Sequence, residues 1–436
     1  MSQAPSTTPT SPPLKPTTIT TLRQAYLCIF AHYYSGSTLD DRALLVPAFS
    51  ALTRELQRRG LDQSVASMPA LSGDRTADWA AFAAVYTRIE KRLPADPAVR
   101  QAIAAATMVG MVDSLNDDHA RWQYGPLSQK GSLGFIVSGL QGGGLPDPAA
   151  ASPMFVTRVK SGSPAETSGV RPGDEVISVN KVPPYINGTL QPGVLDWINS
   201  PKSPVTLRLH RPATGRTFTV TLTPPKSTGA GATPPTSSVS ATLVDGDIAK
   251  VQMPAFASGA ADQVLAAIAE LRTKATLRGV ILDLRGNGGG LGDELSKLLG
   301  AWVHGKAYTY FCDADSHCTP LYPDDTALVH LPLTVLTDRS CASACDTFAA
   351  AVRDLRLGTL IGTRTAGLVS GPMTQYELED NSTLALPSAH ALQANKEVIA
   401  TIGVAPHYQE PLTADALSRG KDPAVAKAVA LLHRTS

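Results

Sequence analysis

The strongest constraint on the fold lies after residue 240, where strand-forming runs alternate with helical ones. Strands are predicted at "IAKVQMP", "GVILDLRG", "LTVLTD" and "GTLIGT", and the segments between them carry apolar residues at helical spacing. Strands that alternate with helices form a parallel sheet covered by helices. Residues 240–436 are therefore predicted to be an α/β domain, and ligands of such domains bind at the carboxyl ends of the strands.

The rest of the chain shows two other sequence patterns, one helical and one β-rich. Residues 20–130 carry apolar side chains at helical spacing, as in "TADWAAFAAVYTRIEKRL", and predict a helical N-terminal domain. Residues 131–223 contain short β-branched runs separated by Gly and Pro, which predict a small β-rich domain. Residues 1–19 are predicted to be a disordered Pro/Ser/Thr-rich tether, and residues 224–239 a linker. The 436 residues are thus expected to form a multidomain α+β protein.

Charge and hydropathy argue against several partners. The net charge of +1 gives no reason to expect nucleic acid or an anionic membrane. No apolar run approaches the length of a transmembrane helix. The first residues, "MSQAPSTTPTSPPLKPTT", lack a hydrophobic signal core, which suits an exported protein whose signal has been removed and also a cytoplasmic protein with a disordered tail. No cofactor is predicted, and the oligomeric state stays open.

The five cysteines favour an oxidising compartment. Cys312 and Cys318 bracket a polar loop that a disulfide could close, whereas a zinc site that adds His317 would fit no usual ligand spacing, so no metal is expected. Cys341 and Cys345 either pair with each other, pair with that loop, or pack as small buried thiols. The fifth cysteine, in "AYLCIF", is predicted to be a buried free thiol.

Ser343 lies between two of these cysteines, after the strand "LTVLTD" and at the start of a predicted helix. A serine in this place is either an N-cap or a nucleophile exposed at the carboxyl end of the sheet. A serine nucleophile needs a base, and His119, in "SLNDDHARW", is one of nine histidines. The glycines of "GNGGG", residues 286–290, form either a tight turn or a loop whose backbone N–H groups face a ligand.

Several of these segments together resemble the C-terminal processing, or tail-specific, proteases (S41 peptidases) and their relatives in the tricorn core. The resemblance runs from about Thr20 to Arg434. "LNDDH" is similar to the family's Leu-x-Asp-x-His stretch, and "GSLGF" with "VKSGSPAETSGVRPGDEVISVN" looks like a bacterial PDZ domain. "ILDLRGNGGG", "CASACDTFAAAV" and "IGVAPHYQEP" look like the family's glycine loop, nucleophile stretch and closing strand. The resemblance implies a helical N-terminal domain, a PDZ-like module and a ClpP/crotonase-like catalytic core.

The same resemblance implies a serine endopeptidase that works through an acyl-enzyme. Its nucleophile maps onto Ser343. Backbone N–H groups of Gly288 or Gly289 and of Ala344 would hold the oxyanion.

The general base that the resemblance implies for this chain differs from the base of many family members. Many members pair the serine with a lysine, but Leu368 stands where that lysine would be, and leucine cannot accept a proton. The tricorn-like branch uses a histidine instead, which maps onto His119. Glu397 is the candidate that would orient this histidine, with Asp118 as its rival.

The PDZ-like module implies a polypeptide partner. Leu133, Gly134 and Phe135 stand where such domains bind a terminal carboxylate, while the peptide adds as a strand. The segment "SGLQGGGLPDPAAASP" is predicted to be an irregular insertion in this module. Two other functions stay open: an inactive, PDZ-containing peptide-binding protein of the same fold, and a carrier of hydrophobic ligands, which the low aromatic content of 6% disfavours.

Overall fold

The computed structural model describes residues 13–125, 132–225 and 239–434. Most of the predicted tether and nearly all of the predicted linker lie outside the described residues. The chain divides into two compact units, which are described separately. The first unit comprises Met1–Leu127, Phe311–Thr319 and Ser370–His390. The second comprises Ser128–Tyr310, Pro320–Val369 and Ala391–Ser436.

The described residues contain the following helices and strands, numbered along the chain. The α-helices are α1 Ile19–His32, α2 Arg42–Arg58, α3 Arg75–Glu90, α4 Pro97–Asp113, α5 Pro164–Thr167, α6 Pro192–Asn199, α7 Ala260–Lys274, α8 Gly292–Gly300, α9 Ala344–Asp354, α10 Ala414–Ser418 and α11 Pro423–Leu432. The strands are β1 Arg121–Gln123, β2 Phe135–Val137, β3 Leu140–Gln141, β4 Leu145–Pro146, β5 Val156–Val159, β6 Glu175–Val179, β7 Tyr185–Ile186, β8 Thr189–Leu190, β9 Val205–Arg211, β10 Arg216–Leu222, β11 Ser240–Val244, β12 Ile248–Gln252, β13 Gly279–Asp283, β14 Thr309–Cys312, β15 Cys318–Leu321, β16 Leu333–Thr337, β17 Gly358–Gly362, β18 Met373–Glu377, β19 Thr383–Pro387, β20 His390–Gln393 and β21 Tyr408–Gln409.

The first unit packs α1–α4 around one apolar core, which confirms the helical N-terminal part. Strands β1, β19 and β18 form an antiparallel sheet in that order. Leu384 and Leu386 of β19 are fully buried in the helical core. Residues 370–390, predicted within the α/β segment 240–436, therefore lie in the first unit, because their apolar side chains complete the core of the helices.

The second unit contains a six-stranded sheet in the order β11-β12-β13-β16-β17-β21. Every neighbouring pair is parallel except the edge pair β11–β12. All five residues of β13 and of β16 are buried, as expected for central strands with both faces covered. The alternation of strands and helices after residue 240 thus produces the predicted α/β core.

The β-rich part of the second unit has its own apolar core. Strands β2 and β5 pair with each other, and β6, β9 and β10 form a second antiparallel sheet. The insertion at residues 138–153 is more regular than predicted, since it contains the paired strands β3 and β4. It also contacts the α/β core: the Gly142 N–H donates to the Arg339 carbonyl (3.1 Å), and Arg339 Nη2 donates to Gln141 Oε1 (2.9 Å).

Candidate active site

Ser343 lies on a strained turn between β16 and α9. Its φ of 56° and ψ of −119° are outside the regions that a serine ordinarily occupies. Such a conformation costs roughly 1–3 kcal/mol and persists only where the surroundings enforce it. Within residues 341–352, Ser343 is the one residue that is not buried. The turn therefore presents this side chain at the carboxyl end of the sheet, as a strand-to-helix elbow presents a nucleophile.

Asp346 holds this turn against a second segment of the chain. The Ser343 N–H donates to the Leu368 carbonyl (2.9 Å) and to Asp346 Oδ2 (3.1 Å). The Gly367 N–H donates to Asp346 Oδ1 (2.9 Å), and the Leu368 N–H donates to Oδ2 (3.0 Å). One carboxylate thus satisfies three backbone donors. Sequence reasoning missed Asp346, although an acidic residue three positions after an N-cap is a recognisable signal.

The Asp346 carboxyl is completely buried. Burial raises its pKa to about 6, although the N–H donors of Ser343, Gly367 and Leu368 act in the opposite direction. The carboxylate form therefore dominates at neutral pH and is lost in mildly acidic solution.

The glycine loop after β13 lies beside the Ser343 turn because β13 and β16 are parallel neighbours. Asn287 joins the two loops: its carbonyl accepts from the Ala342 N–H (3.1 Å), and its Oδ1 accepts from the Gly289 N–H (2.8 Å). Gly289 has a φ of +96°, and a Cβ there would lie 2.7 Å from the Ser343 Cβ. Only glycine fits this approach.

The predicted oxyanion donors divide into two groups. The N–H groups of Gly288 and Ala344 have no hydrogen-bond acceptor within the described parts of the chain. The N–H of Gly289, by contrast, is engaged by Asn287. Gly288 and Ala344 are therefore available to a ligand, whereas Gly289 acts by its close packing.

His119 belongs to the first unit, in the connection between α4 and β1, and is half-buried. Burial lowers its pKa below the ordinary value, while the carboxylates of Asp117 and Asp118 oppose that shift. Asp117 shapes this connection, since its Oδ1 accepts from the His119 N–H (2.9 Å) and its Oδ2 accepts from the Tyr33 hydroxyl (3.2 Å). The imidazole is consequently neutral at pH 7 and able to accept a proton.

Glu397 is placed away from Ser343. Its Oε2 lies 2.5 Å from Nη2 of Arg353, and its side chain is 43% exposed. Arg353 is in the last turn of α9, whereas Ser343 precedes the first, and ten residues of helix span about 15 Å. The structure therefore gives no support to Glu397 beside the nucleophile. Asp118, its rival, is exposed.

The three residues predicted to bind a peptide end lie in the loop before β2 and at the first position of that strand. Gly134 has a φ of +84°, and a Cβ there would lie 2.0 Å from the Ser163 Cβ. The Lys160 N–H donates to the Gly134 carbonyl (2.7 Å). This bond makes Phe135 and Val159 a non-hydrogen-bonded pair, so the N–H and carbonyl of Phe135 point away from β5. Leu133, the third residue, is buried in the core of this part.

The structure contains two disulfides and so decides between the alternatives that the sequence left open. Cys312 is joined to Cys318, which leaves neither thiol for zinc, and Cys341 is joined to Cys345 across the Ser343 turn. Cys28 is a half-buried free thiol. Among the helices of the described residues, none combines the length and apolar character needed to cross a bilayer.

The α/β part, with its strained serine turn and glycine loop, and the PDZ-like part each match the model of a known family. Residues 247–410 match the model of peptidase family S41, and residues 126–207 match the PDZ domain. The α/β part of this chain is therefore similar to peptidase family S41. The resemblance to processing proteases inferred from the sequence is thereby confirmed at the level of the family.

Processing proteases are found among the individual relatives. The carboxy-terminal processing protease CtpA of Bacillus subtilis (strain 168) is 27% identical over 308 residues, covering 70% of this chain and 63% of that protein. The chloroplastic C-terminal processing peptidase of Tetradesmus obliquus is 30% identical over 278 residues, covering 60% and 58%. The solved structure of the photosystem II D1 C-terminal processing protease has a TM-score of 0.53 at 22% identity, covering 92% of this chain and 94% of that chain. This structural likeness establishes the shared fold.

The chain spans between half and two thirds of the length of these curated relatives.

Proposed function

We propose that this chain is a serine endopeptidase that cleaves peptide bonds of proteins or of their C-terminal tails. Ser343 Oγ attacks the peptide carbonyl while His119 takes its proton. The resulting acyl-enzyme is hydrolysed by water, with His119 acting in the reverse sense. The N–H groups of Gly288 and Ala344 stabilise the oxyanion, and no cofactor takes part in these steps.

One observation carries this proposal: a partly exposed serine is held at a φ of 56° next to the glycine loop, and the N–H groups of Gly288 and Ala344 have no acceptor among the described residues. A serine that served only as an N-cap would adopt an extended conformation and would need no such strain.

A fluorophosphonate probe tests this proposal directly. The wild-type chain is expected to acquire one covalent phosphonyl group on Ser343, seen by intact mass and peptide mapping. The Ser343→Ala protein should acquire none, while Ser340→Ala, a partly exposed serine of the same loop, should label like the wild type. Labelling that survives Ser343→Ala, or that is absent from folded wild-type protein, would refute the assignment.

The competing function is a peptide-binding protein that has lost catalysis. Leucine at position 368 favours it, because the lysine base of many relatives is missing. The neutral imidazole of His119 favours the peptidase, since it supplies a different base. The fluorophosphonate experiment separates the two, because a binding protein would not form the covalent adduct.

We also propose that the PDZ domain binds the free carboxyl end of a polypeptide. The outward-facing N–H of Phe135 supports addition of a peptide strand, as does the edge of β2 that pairs with no other strand among the described residues. Fluorescence anisotropy of a labelled peptide with a free carboxylate should show binding to the full chain, and its C-terminal amide should bind at least tenfold more weakly. Equal affinities would contradict recognition of the carboxylate.

The proposed location is outside the cytoplasm, with a signal removed. The two disulfides support it, because such bonds persist in oxidising compartments. Fractionation of the native host, with an antibody against this chain, should recover it outside the cytoplasm. Recovery with the cytoplasmic proteins would contradict the proposal.

A further inference from the structure

The disulfide between Cys341 and Cys345 encloses the candidate nucleophile. The bridge spans four positions, with Ser343 at its centre and 5.2 Å between the two Cα atoms. Cys341 precedes the strained turn, whereas Cys345 is in the first turn of α9. The cross-link therefore joins the two arms of the turn on which Ser343 is held.

The bridge and the Asp346 carboxylate, which accepts from the Ser343 N–H (3.1 Å), both link the two arms of this turn. The Cys345 N–H donates to the Ala342 carbonyl (3.0 Å), and the Cys341 carbonyl accepts from the Ala366 N–H (2.8 Å). A strained residue keeps its conformation only when its neighbours over-determine it. Without the bridge, Ser343 can relax to the extended conformation of an ordinary N-cap, which turns its side chain to a different direction.

We propose that oxidation of Cys341 and Cys345 is the modification that sets Ser343 in its reactive conformation. The inference rests on the proposed function of Ser343. The two thiols together lose two protons and two electrons as the S–S bond forms. The electrons reduce the disulfide of an exchange partner, such as glutathione disulfide, to two thiols through a mixed-disulfide intermediate.

Burial determines when this modification takes place. Cys341 and Cys345 are both completely buried in the main apolar core, so an exchange partner cannot reach their sulfurs in the folded chain. The bond therefore forms during folding and then stays closed. A chain folded in a reducing compartment carries an unconstrained serine, and a chain folded in an oxidising compartment carries a constrained one.

The second disulfide provides a matched control. Cys312–Cys318 also closes a short loop, but it lies in the first unit and Cys318 is half-exposed. Its removal takes away a bridge of similar size without touching the Ser343 turn.

The experiment measures the rate of fluorophosphonate labelling of Ser343 in the full chain. Cys341→Ala/Cys345→Ala is expected to label roughly tenfold to a hundredfold more slowly than the wild type, at a temperature where circular dichroism shows both to be folded. Cys312→Ala/Cys318→Ala should label like the wild type. Wild-type chain refolded with a phosphine reductant should label slowly, and reoxidation with glutathione disulfide during refolding should restore the rate. Wild-type labelling rates in the Cys341→Ala/Cys345→Ala protein would overturn the inference.

A structural measurement separates this inference from the proposed function. In a crystal structure of Cys341→Ala/Cys345→Ala, the φ of Ser343 is expected to become negative, a change that a loss of stability alone would not cause. If that protein does not fold, Cys341→Val/Cys345→Ala restores part of the lost volume and serves in its place. Retention of a φ near +56° refutes the inference even if the wild type proves unreactive, whereas an unreactive wild type refutes only the proposed peptidase.

Discussion

At the scale of single residues, Asp346 links the Ser343 turn to a second segment of the chain. It is the shared acceptor for N–H groups that are separated by more than twenty residues in the chain. A carboxylate suits this task because both oxygens accept and neither donates. The carboxylate therefore links the turn to residues 367 and 368 by hydrogen bonds alone.

We predict that Asp346→Asn slows the labelling of Ser343 and destabilises the chain. The amide can accept with only one atom, so its NH2 group must face one or more of the backbone donors. Each buried donor left without an acceptor costs about 1–3 kcal/mol. Urea unfolding and the labelling rate measure the two effects. Asp62→Asn, an exposed substitution, should change neither, and wild-type behaviour of Asp346→Asn would contradict the assigned role.

The raised pKa of Asp346 also predicts a pH dependence of stability. Its ordinary value is 3.8, so between pH 3.8 and about 6 the folded chain keeps a proton that the unfolded chain loses. The free energy of unfolding therefore falls as pH rises through this window, by about 3 kcal/mol for a shift of this size. Between pH 4 and pH 7, the free energy of unfolding of the wild type should fall by about 3 kcal/mol more than that of Asp346→Asn. Parallel pH curves for the two proteins would contradict it.

At the scale of elements, the glycine loop and the Ser343 turn are positioned by the parallel pairing of β13 with β16. The loop approaches the turn so closely that its shape and the position of the Gly288 N–H depend on the absent side chain of Gly289. The alternation of strands and helices predicted that both loops would lie at one edge of the sheet. It did not predict that Asn287 would tie them together, because that contact joins residues 55 positions apart.

We predict that Gly289→Ala lowers the labelling rate of Ser343 by a factor on the order of 10², because its Cβ would displace the loop that carries an oxyanion donor. That Cβ would lie 2.6 Å from the Ala342 carbonyl oxygen. Gly292→Ala is the control, since no atom lies within 4 Å of its Cβ position and its residue is already helical. Equal labelling rates in the two variants would show that the close approach is unimportant.

The insertion at residues 138–153 gives a second prediction at this scale. A Cβ at Gly142 would lie 2.1 Å from the Ala342 Cβ, so Gly142→Ala should displace the insertion from the α/β core. Overpacking of this kind costs about 1–3 kcal/mol, which corresponds to roughly tenfold faster proteolytic cleavage within the insertion. Limited proteolysis with mass spectrometry measures that rate. Gly193→Ala, which meets no atom within 4 Å, should be cleaved like the wild type; the same cleavage rate in Gly142→Ala would contradict the docking.

At the scale of the whole molecule, the proposed mechanism joins a nucleophile and a base that are more than two hundred positions apart in the chain, Ser343 and His119. We predict that the labelling rate of Ser343 rises with pH to a plateau, with a midpoint below 6.5, because burial lowers the pKa of His119 and only the neutral ring accepts a proton. His119→Ala should lose this acidic limb and label about 10²–10⁴-fold more slowly.

Two controls isolate the contribution of His119. Asp346→Asn should keep the acidic limb at a lower overall rate, which separates the titration of His119 from that of Asp346. His317→Ala, with a side chain that is 82% exposed, should match the wild type. An unchanged limb in His119→Ala would mean that another group serves as the base.

The helices, the parallel strands, the PDZ-like β runs and the position of Ser343 before a helix were all predictable from local patterns. The spacing of apolar residues, runs of β-branched residues and the positions of glycines indicate the local backbone conformation within a few residues. The role predicted for Glu397 has no such local basis. Its ion pair with Arg353 joins two segments that are distant in the sequence, so no local pattern could predict it. The burial of residues 370–390 in the helical unit was likewise missed.

The order of the elements and the chemical character of the serine turn follow from the sequence because they depend on neighbouring residues. Three features depended on folding: the strain at Ser343, the bridging role of Asp346 and the bond from the Ala342 N–H to the Asn287 carbonyl. Each requires groups that are brought together by strand pairing and helix packing, and these distant contacts supply, together with the local Cys341–Cys345 bridge, the free energy that enforces a strained φ.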